Sequence, residues 1–76
     1  MNEQDRKHLK MVQEMMELSM AMVDRIRSQE ERILGDLVEY EGESDKKERM
    51  QEFIDKLDEI YDATDDVCDL LIEVLR

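Results

Sequence analysis

The chain has 76 residues, with 22 acidic and 11 basic side chains and a formal net charge of −11. This charge argues against direct binding to nucleic acid or to an anionic membrane surface, because Lys and Arg supply most of the affinity for phosphates. The absence of Pro, the two Gly residues and the many Leu, Met, Glu and Lys residues predict an all-α fold. A chain this short buries only about 60% of its unfolded surface, so it often gains stability by association.

The first predicted helix covers about residues 3–41, with Asn2 or Asp5 as its N-cap. Its apolar positions alternate in steps of three and four, which is the heptad pattern of a helix that packs along another helix. These positions are Leu9, Val12, Met16, Ser19, Val23, Ile26, Glu30, Ile33, Leu37 and Tyr40. The pattern crosses Gly35 without a slip, so we expect one helix with a bend near Gly35; a break there, giving three helices, is the alternative.

The N-terminal half of this helix carries a second apolar stripe beside the first. From Ile26 onward we expect a single stripe, enough for one neighbouring helix. The wider apolar arc before it needs a further partner, because each Met or Leu left in water forfeits roughly 1.5–3 kcal/mol. The second stripe consists of Met11, Met15, Leu18 and Met22, and these are the predicted oligomer interface. Folding of the N-terminal turns over a small monomeric core is the alternative.

A turn is predicted at residues 42–45, where Gly42 can adopt the left-handed conformation that ends a helix. Asp45 with Glu48 resembles a capping box for a second helix over about residues 46–76. The heptad seam assigned to it is Met50, Phe53, Leu57, Ile60, Thr64, Val67, Leu71 and Val74, widened by Ile54, Tyr61, Cys68 and Leu75. So short a connection makes the two helices antiparallel neighbours.

The sequence therefore predicts a single domain, a long antiparallel helical hairpin that dimerises into a coiled-coil-like four-helix bundle. This layout resembles that of Rop-like helical hairpins, in architecture only. None of the motifs of that family is present, so its RNA binding is not implied. Glu30, in the seam of the first helix, is expected either to pair with Lys56 or to reach water.

The outer side of the second helix is almost wholly acidic. Asp58, Asp62, Asp65 and Asp69 follow each other at steps of four, three and four, which places them in one row along the helix. Like charges at this spacing oppose helix formation by roughly 0.2–0.5 kcal/mol per pair, so a face chosen only for solubility would mix in Lys. The predicted partner-binding residues are Asp55, Asp58, Glu59, Asp62, Asp65, Asp66, Asp69 and Glu73. A face that is merely solvated is the alternative.

The sequence contains no set of residues typical of catalysis, so we expect no enzyme activity, cofactor, metal or small-molecule substrate. His8, with Asp5 before it, is expected at an exposed helix start, and Cys68 among apolar neighbours is expected to be inert. No apolar run approaches the roughly 18 residues that span a bilayer. A single cysteine fits a reducing compartment, and we expect a cytoplasmic protein.

These features predict a small acidic module that binds other proteins. In its most specific form it is an inhibitor or decoy, of the kind encoded by phages and mobile elements, whose acidic face imitates nucleic acid for a basic protein surface. The alternative is a structural homo-oligomer that acts through its apolar Met-rich face.

Overall fold

The computed structural model describes residues 1–38 and 44–76 and shows two α-helices in contact. Helix α1 is Glu3–Val38, with 36 residues, and helix α2 is Ser44–Leu75, with 32 residues. The start of α1 contacts the end of α2, so the helices are antiparallel neighbours, as the sequence predicts. The hairpin measures 60 × 14 × 13 Å, which is the length and thickness of one pair of helices.

The N-terminus of α1 is capped by Asn2, one of the two predicted residues. The Asn2 side-chain Oδ1 accepts a hydrogen bond from the backbone N–H of Asp5 at 2.7 Å. This bond satisfies one of the backbone donors that a helix start leaves without an intrahelical partner. Helix α1 then continues through Gly35 without a break, so the alternative with three helices is wrong.

The predicted turn overlaps only in part with what the structure shows. The last predicted residues of the first helix, and Gly42 with its role as helix terminator, lie outside the described residues. Helix α2 begins at Ser44, so Asp45 lies in its first turn and not before it. An acidic side chain in the first turn interacts favourably with the positive end of the helix dipole.

The side of α2 that faces α1 differs from the predicted seam by a rotation. Three side chains are buried among the described residues: Ile54, Leu57 and Cys68. The half-buried residues Met50, Tyr61, Thr64, Leu71 and Leu75 continue their line. Four residues assigned to the centre of the seam point away from α1, with 39–51% of their surface exposed: Phe53, Ile60, Val67 and Val74. The positions expected only to widen the seam are therefore at its centre.

Helix α1 shows the same rotation. Six of the predicted seam residues are half-buried: Leu9, Val12, Met16, Val23, Glu30 and Leu37. Ser19, Ile26 and Ile33 are exposed instead, and Met20, Arg27 and Leu34, each one residue further along, take their places. Tyr40 lies outside the described residues. Only every second seam position moves by one residue, which is about 100° around the helix, so the contact line turns by about 50°. This rotation changes which side chains remain on the surface.

Replacement of Gly35 by Ala should stabilise the hairpin by about 0.5–1 kcal/mol. Gly35 lies in the interior of α1, and a Cβ placed there has no atom within 4 Å outside the neighbouring backbone. Ala loses less backbone entropy than Gly when a helix forms, and here it has no clash to offset that gain. Urea unfolding followed by circular dichroism measures the change.

The matched control is Ala21→Gly, at an exposed position of the same helix, which should lower the stability by a similar amount. A destabilising effect of Gly35→Ala would contradict the regular helical conformation of α1 at this residue.

Candidate interaction surfaces

The predicted oligomer interface is an exposed apolar stripe on α1. Its four residues, Met11, Met15, Leu18 and Met22, each expose 56–63% of their surface. The stripe does not stop there, because Ile26 and Ile33 are also exposed and continue it toward the end of α1. The expectation of a single stripe after Ile26 is therefore wrong, and the exposed apolar surface is longer than predicted.

Helix α2 carries a matching exposed stripe that the sequence analysis missed. Four of its members were assigned to the contact with α1 but are exposed: Phe53, Ile60, Val67 and Val74. Leu70, which was not assigned to that contact, is exposed as well. A signal for this stripe was present, since α2 has apolar residues at three positions of most heptads. That is a wider arc than one neighbouring helix can cover.

Both stripes lie on the same side of the hairpin. On α1, Met15 and Ile26 each come immediately before a residue that faces α2; on α2, Phe53 and Ile60 each come immediately before one that faces α1. Each stripe is thus displaced from the contact line by about 100° in the same rotational sense. Leu18, which precedes the exposed Ser19, lies further around, toward the outer edge of α1. Because the helices run in opposite directions, equal rotations carry the two stripes to one side of the plane that contains both helix axes.

Contacts between the helices fix which residues stand at the same level. They are the hydrogen bond from Arg6 Nη1 to the Leu75 carbonyl oxygen, the ion pair of Arg27 with Asp58, and the contact of Cys68 Sγ with Met20 Sδ at 3.7 Å. This register places the stripes side by side, as the pairs Met11 and Val74, Met15 and Leu70, Leu18 and Val67, Met22 and Ala63, Ile26 and Ile60, and Ile33 and Phe53.

We call this surface the apolar face: Met11, Met15, Leu18, Met22, Ile26 and Ile33 of α1 with Phe53, Ile60, Val67, Leu70 and Val74 of α2. It extends for about 33 Å along the hairpin, from the rise of 1.5 Å per residue. Single exposed apolar side chains are normal on a protein surface. An apolar surface of this length, interrupted only beside Gln29 and Lys56, is typical of interaction sites.

The aspartate row lies on the opposite side of the hairpin. Asp58, Asp62, Asp65 and Asp69 each come immediately after a residue that faces α1, so their rotation from the contact line has the opposite sense to that of the apolar face. Asp62, Asp65 and Asp69 are exposed and Asp58 is half-buried. The sequence predicted this row, and we call it the acidic ridge.

Part of the predicted acidic patch is occupied by interactions within the chain. Asp58 forms an ion pair with Arg27, whose Nη2 also contacts Glu31 Oε1 at 2.9 Å. The hydrogen bond to Asp58, with the charges of Asp58 and Glu31, raises the pKa of the Arg27 guanidinium above its ordinary value, against a smaller opposing effect of burial. Asp58 is therefore not a free contact for a partner.

Two further acids of the patch have local partners. Lys56 Nζ contacts Glu59 Oε2 at 3.4 Å, and Gln51 Nε2 donates a hydrogen bond to Asp55 Oδ1 at 3.0 Å. Of the two alternatives for Glu30, the pair with Lys56 does not form, and Glu30 is half-buried. In the described part of the chain no ion pair reaches the remaining acids of the patch, which are Asp62, Asp65, Asp66, Asp69 and Glu73.

Cys68 is buried in the contact between the helices. Burial raises the pKa of its thiol above the ordinary value, and the charges of Glu17, Asp65 and Asp69 raise it further. Both effects disfavour the thiolate, which is the reactive form of cysteine. The structure thus supports the expectation that Cys68 is chemically inert.

His8 is exposed at the start of α1, as expected, with Gln4 Nε2 at 3.3 Å from His8 Nε2. Within residues 1–38 and 44–76, no group of three His, Cys, Asp or Glu side chains is arranged to hold a metal ion. Over the same residues, neither helix has the length and hydropathy needed to cross a bilayer. Comparison with known protein families, with curated proteins and with solved structures finds no match.

The thiol of Cys68 should react with iodoacetamide at least about tenfold more slowly in the folded protein than in urea, because it is buried and its pKa is raised. Mass spectrometry of quenched samples measures the rate. A matched control is Ser28→Cys in a Cys68→Ala background, which places one thiol on the exposed surface of α1. Equal rates for the two cysteines in the folded state would contradict the burial of Cys68.

Proposed function

We propose that this protein is a small acidic module that binds a basic surface of another protein through the acidic ridge. The observation that carries the proposal is the run from Leu57 to Leu75, which contains no Lys or Arg, together with the exposure of Asp62, Asp65 and Asp69 on one side of a regular helix. Without nearby bases, these carboxylates create a strong local negative potential that steers a basic partner toward them.

In its most specific form, the ridge acts as a nucleic-acid mimic, in an inhibitor or decoy of the kind that phages and mobile elements encode. Successive ridge carboxylates stand about 4.5–6 Å apart along the helix axis. This is the same order as the roughly 3.4 Å per phosphate along one DNA strand. A rigid helix also holds the charges in place, so binding orders few side chains.

A second candidate function, a structural homo-oligomer, is favoured by the apolar face. Exposure of that face to water is unfavourable, and dimerisation of two hairpins into a four-helix bundle would bury it. The two functions are compatible because the ridge and the apolar face are on opposite sides of the hairpin. A dimer joined through the apolar faces keeps both acidic ridges on its outside.

Neutralising the ridge with Asp62→Asn, Asp65→Asn and Asp69→Asn should lower the affinity for a basic partner by at least about tenfold and reduce its salt dependence. The partner is captured from the host with the immobilised wild-type protein and identified, and its affinity for each variant is then measured at several salt concentrations. Bound partner should also be displaced by duplex DNA or by RNA.

The matched control is Glu14→Gln, Asp36→Asn and Glu48→Gln, three exposed acids outside the ridge. Each triple variant neutralises three carboxylates, which changes the formal net charge from −11 to −8. If both variants lost the same affinity for the partner, net charge alone would explain the effect, and a specific role of the ridge would be refuted. A captured partner that nucleic acid does not displace would refute the proposal of a nucleic-acid mimic. The broader proposal of an acidic protein-binding module would remain.

Leu18→Glu should dissociate the dimer, because it places an unpaired charge on the apolar face. Each dimer contains two copies of the substitution, so the loss is about 3–6 kcal/mol if each Leu18 is fully buried on association. Light scattering measures the mass and circular dichroism checks that the helices persist. A matched exposed site away from the apolar face, Ser28→Glu, should leave the mass unchanged.

A further inference from the structure

We infer that a second copy of the chain covers the apolar face in one particular arrangement, in which α1 of each copy packs against α2 of the other. The two copies are related by a two-fold axis parallel to the helices. This inference rests on the dimer proposed above and is independent of the acidic ridge.

The surface area of the chain supports a second copy as the occupant. The accessible surface is 6118 Å², whereas a compact monomer of this mass has about 4,900 Å². Each chain therefore exposes roughly 1,200 Å² in excess, or about 2,400 Å² for two chains, which lies within the range of obligate homodimer interfaces. A second copy also offers the same length of apolar surface, so one face covers the other from end to end.

Two symmetric arrangements bring the apolar faces of two hairpins together with every neighbouring pair of helices antiparallel. A two-fold axis parallel to the helices places α1 over α2 of the second copy, with each residue opposite the one that shares its level in the hairpin. A two-fold axis perpendicular to the helices places α1 over α1 and α2 over α2, with the levels reversed end to end. Polar residues at the interface distinguish these two arrangements.

The apolar face is interrupted at one level, where Gln29 of α1 stands beside Lys56 of α2. With the axis parallel to the helices, Gln29 of each copy meets Lys56 of the other, so polar groups face polar groups. With the perpendicular axis at the middle of the face, near Met22, Gln29 would lie over Met15 of the second copy. Lys56, which contacts Glu59 in its own helix, would likewise lie over an apolar residue. Burying Gln29 without a partner is unfavourable.

Charges along the outer edges of the apolar face point to the same arrangement. Arg25 and Arg32 lie on the outer edge of α1, immediately before Ile26 and Ile33, and they form no ion pair in the described part of the chain. Glu52 and Glu59 lie on the outer edge of α2, at the levels of Arg32 and Arg25. Within one hairpin the two edges are separated by the width of both helices.

The parallel axis brings these opposite charges together, Arg25 with Glu59 and Arg32 with Glu52 of the second copy. Acid meets acid at one level only, where Glu14 faces Glu73. The perpendicular axis instead stacks the acidic edge of α2 on itself, with Glu52 beside Glu73 and Glu59 beside Asp66. Opposite charges across an interface select one mode of association, and like charges reject another.

Charge reversal at one edge at a time tests the arrangement. The first variant is Arg25→Glu with Arg32→Glu, and the second is Glu52→Arg with Glu59→Arg. Each should raise the dissociation constant of its own homodimer by at least about tenfold, because four attractive pairs become repulsive. An equimolar mixture should form a heterodimer with a dissociation constant within about threefold of the wild-type value, since all four pairs in it are attractive.

Dissociation constants come from sedimentation equilibrium, and the mixed dimer is identified by native mass spectrometry. Two variants serve as controls. The chain with all four substitutions should dimerise like the wild type, which shows that the charges do not prevent folding. Glu17→Arg with Asp24→Arg changes the net charge as much as the second variant does but lies on the side away from the apolar face, and it should leave the association unchanged.

The outcomes separate the arrangement from the dimer and from the acidic ridge. Tighter self-association of the Glu52→Arg and Glu59→Arg variant would overturn the arrangement in favour of the perpendicular axis and leave the dimer. A wild-type chain that sediments as a monomer of 9.1 kDa, or as a tetramer, would overturn the inference together with the proposed dimer. Neither result bears on capture of a basic partner by the ridge.

Discussion

Each helix of this hairpin has a single neighbour, and that constraint determines the rest of the structure. One contact line along a helix covers only part of its circumference, and only Ile54, Leu57 and Cys68 are buried among the described residues. The other apolar side chains whose burial the structure describes all retain some contact with solvent. The two sides left by the contact line differ in chemistry: one is apolar over about 33 Å, and the other carries the aspartates of the ridge.

The all-α class, the two helices and their antiparallel contact could be predicted because they depend on properties that the sequence shows directly. Heptad spacing, the lack of Pro and a glycine-containing connection are sufficient for them. The rotation of the helices could not be predicted in this way. On α2 both Phe53 and Ile54 are apolar, as are Ile60 and Tyr61. A seam that contains the first residue of each pair and a seam that contains the second therefore fit the pattern equally well. The face missed on α2 follows from that ambiguity.

Arg27 and Asp58 show why the structure adopts one of these two rotations. With Ile26 and Ile33 in the seam, as the heptad pattern suggested, Arg27 would be turned away from Asp58. In the observed rotation the guanidinium reaches Asp58 across the contact and Glu31 along its own helix. The apolar residues tolerate either rotation, because each rotation buries one stripe of Ile, Met and Val side chains and exposes the other. A charge-assisted hydrogen bond has stricter geometry, so the pair separates two packings that hydrophobic burial alone leaves close in energy.

This coupling connects the two surfaces that the proposals concern. Asp58 is the first aspartate of the acidic ridge and also the ion-pair partner of Arg27. It therefore contributes to the contact between the helices as well as to the ridge. The rotation that it stabilises turns Ile26 and Phe53 outward on one side and Asp62, Asp65 and Asp69 outward on the other. A rotation by about 50° would move the apolar stripes into the seam and carry the aspartates further around the hairpin. The apolar face and the acidic ridge are therefore two consequences of a single packing arrangement, although the proposals assign them different partners.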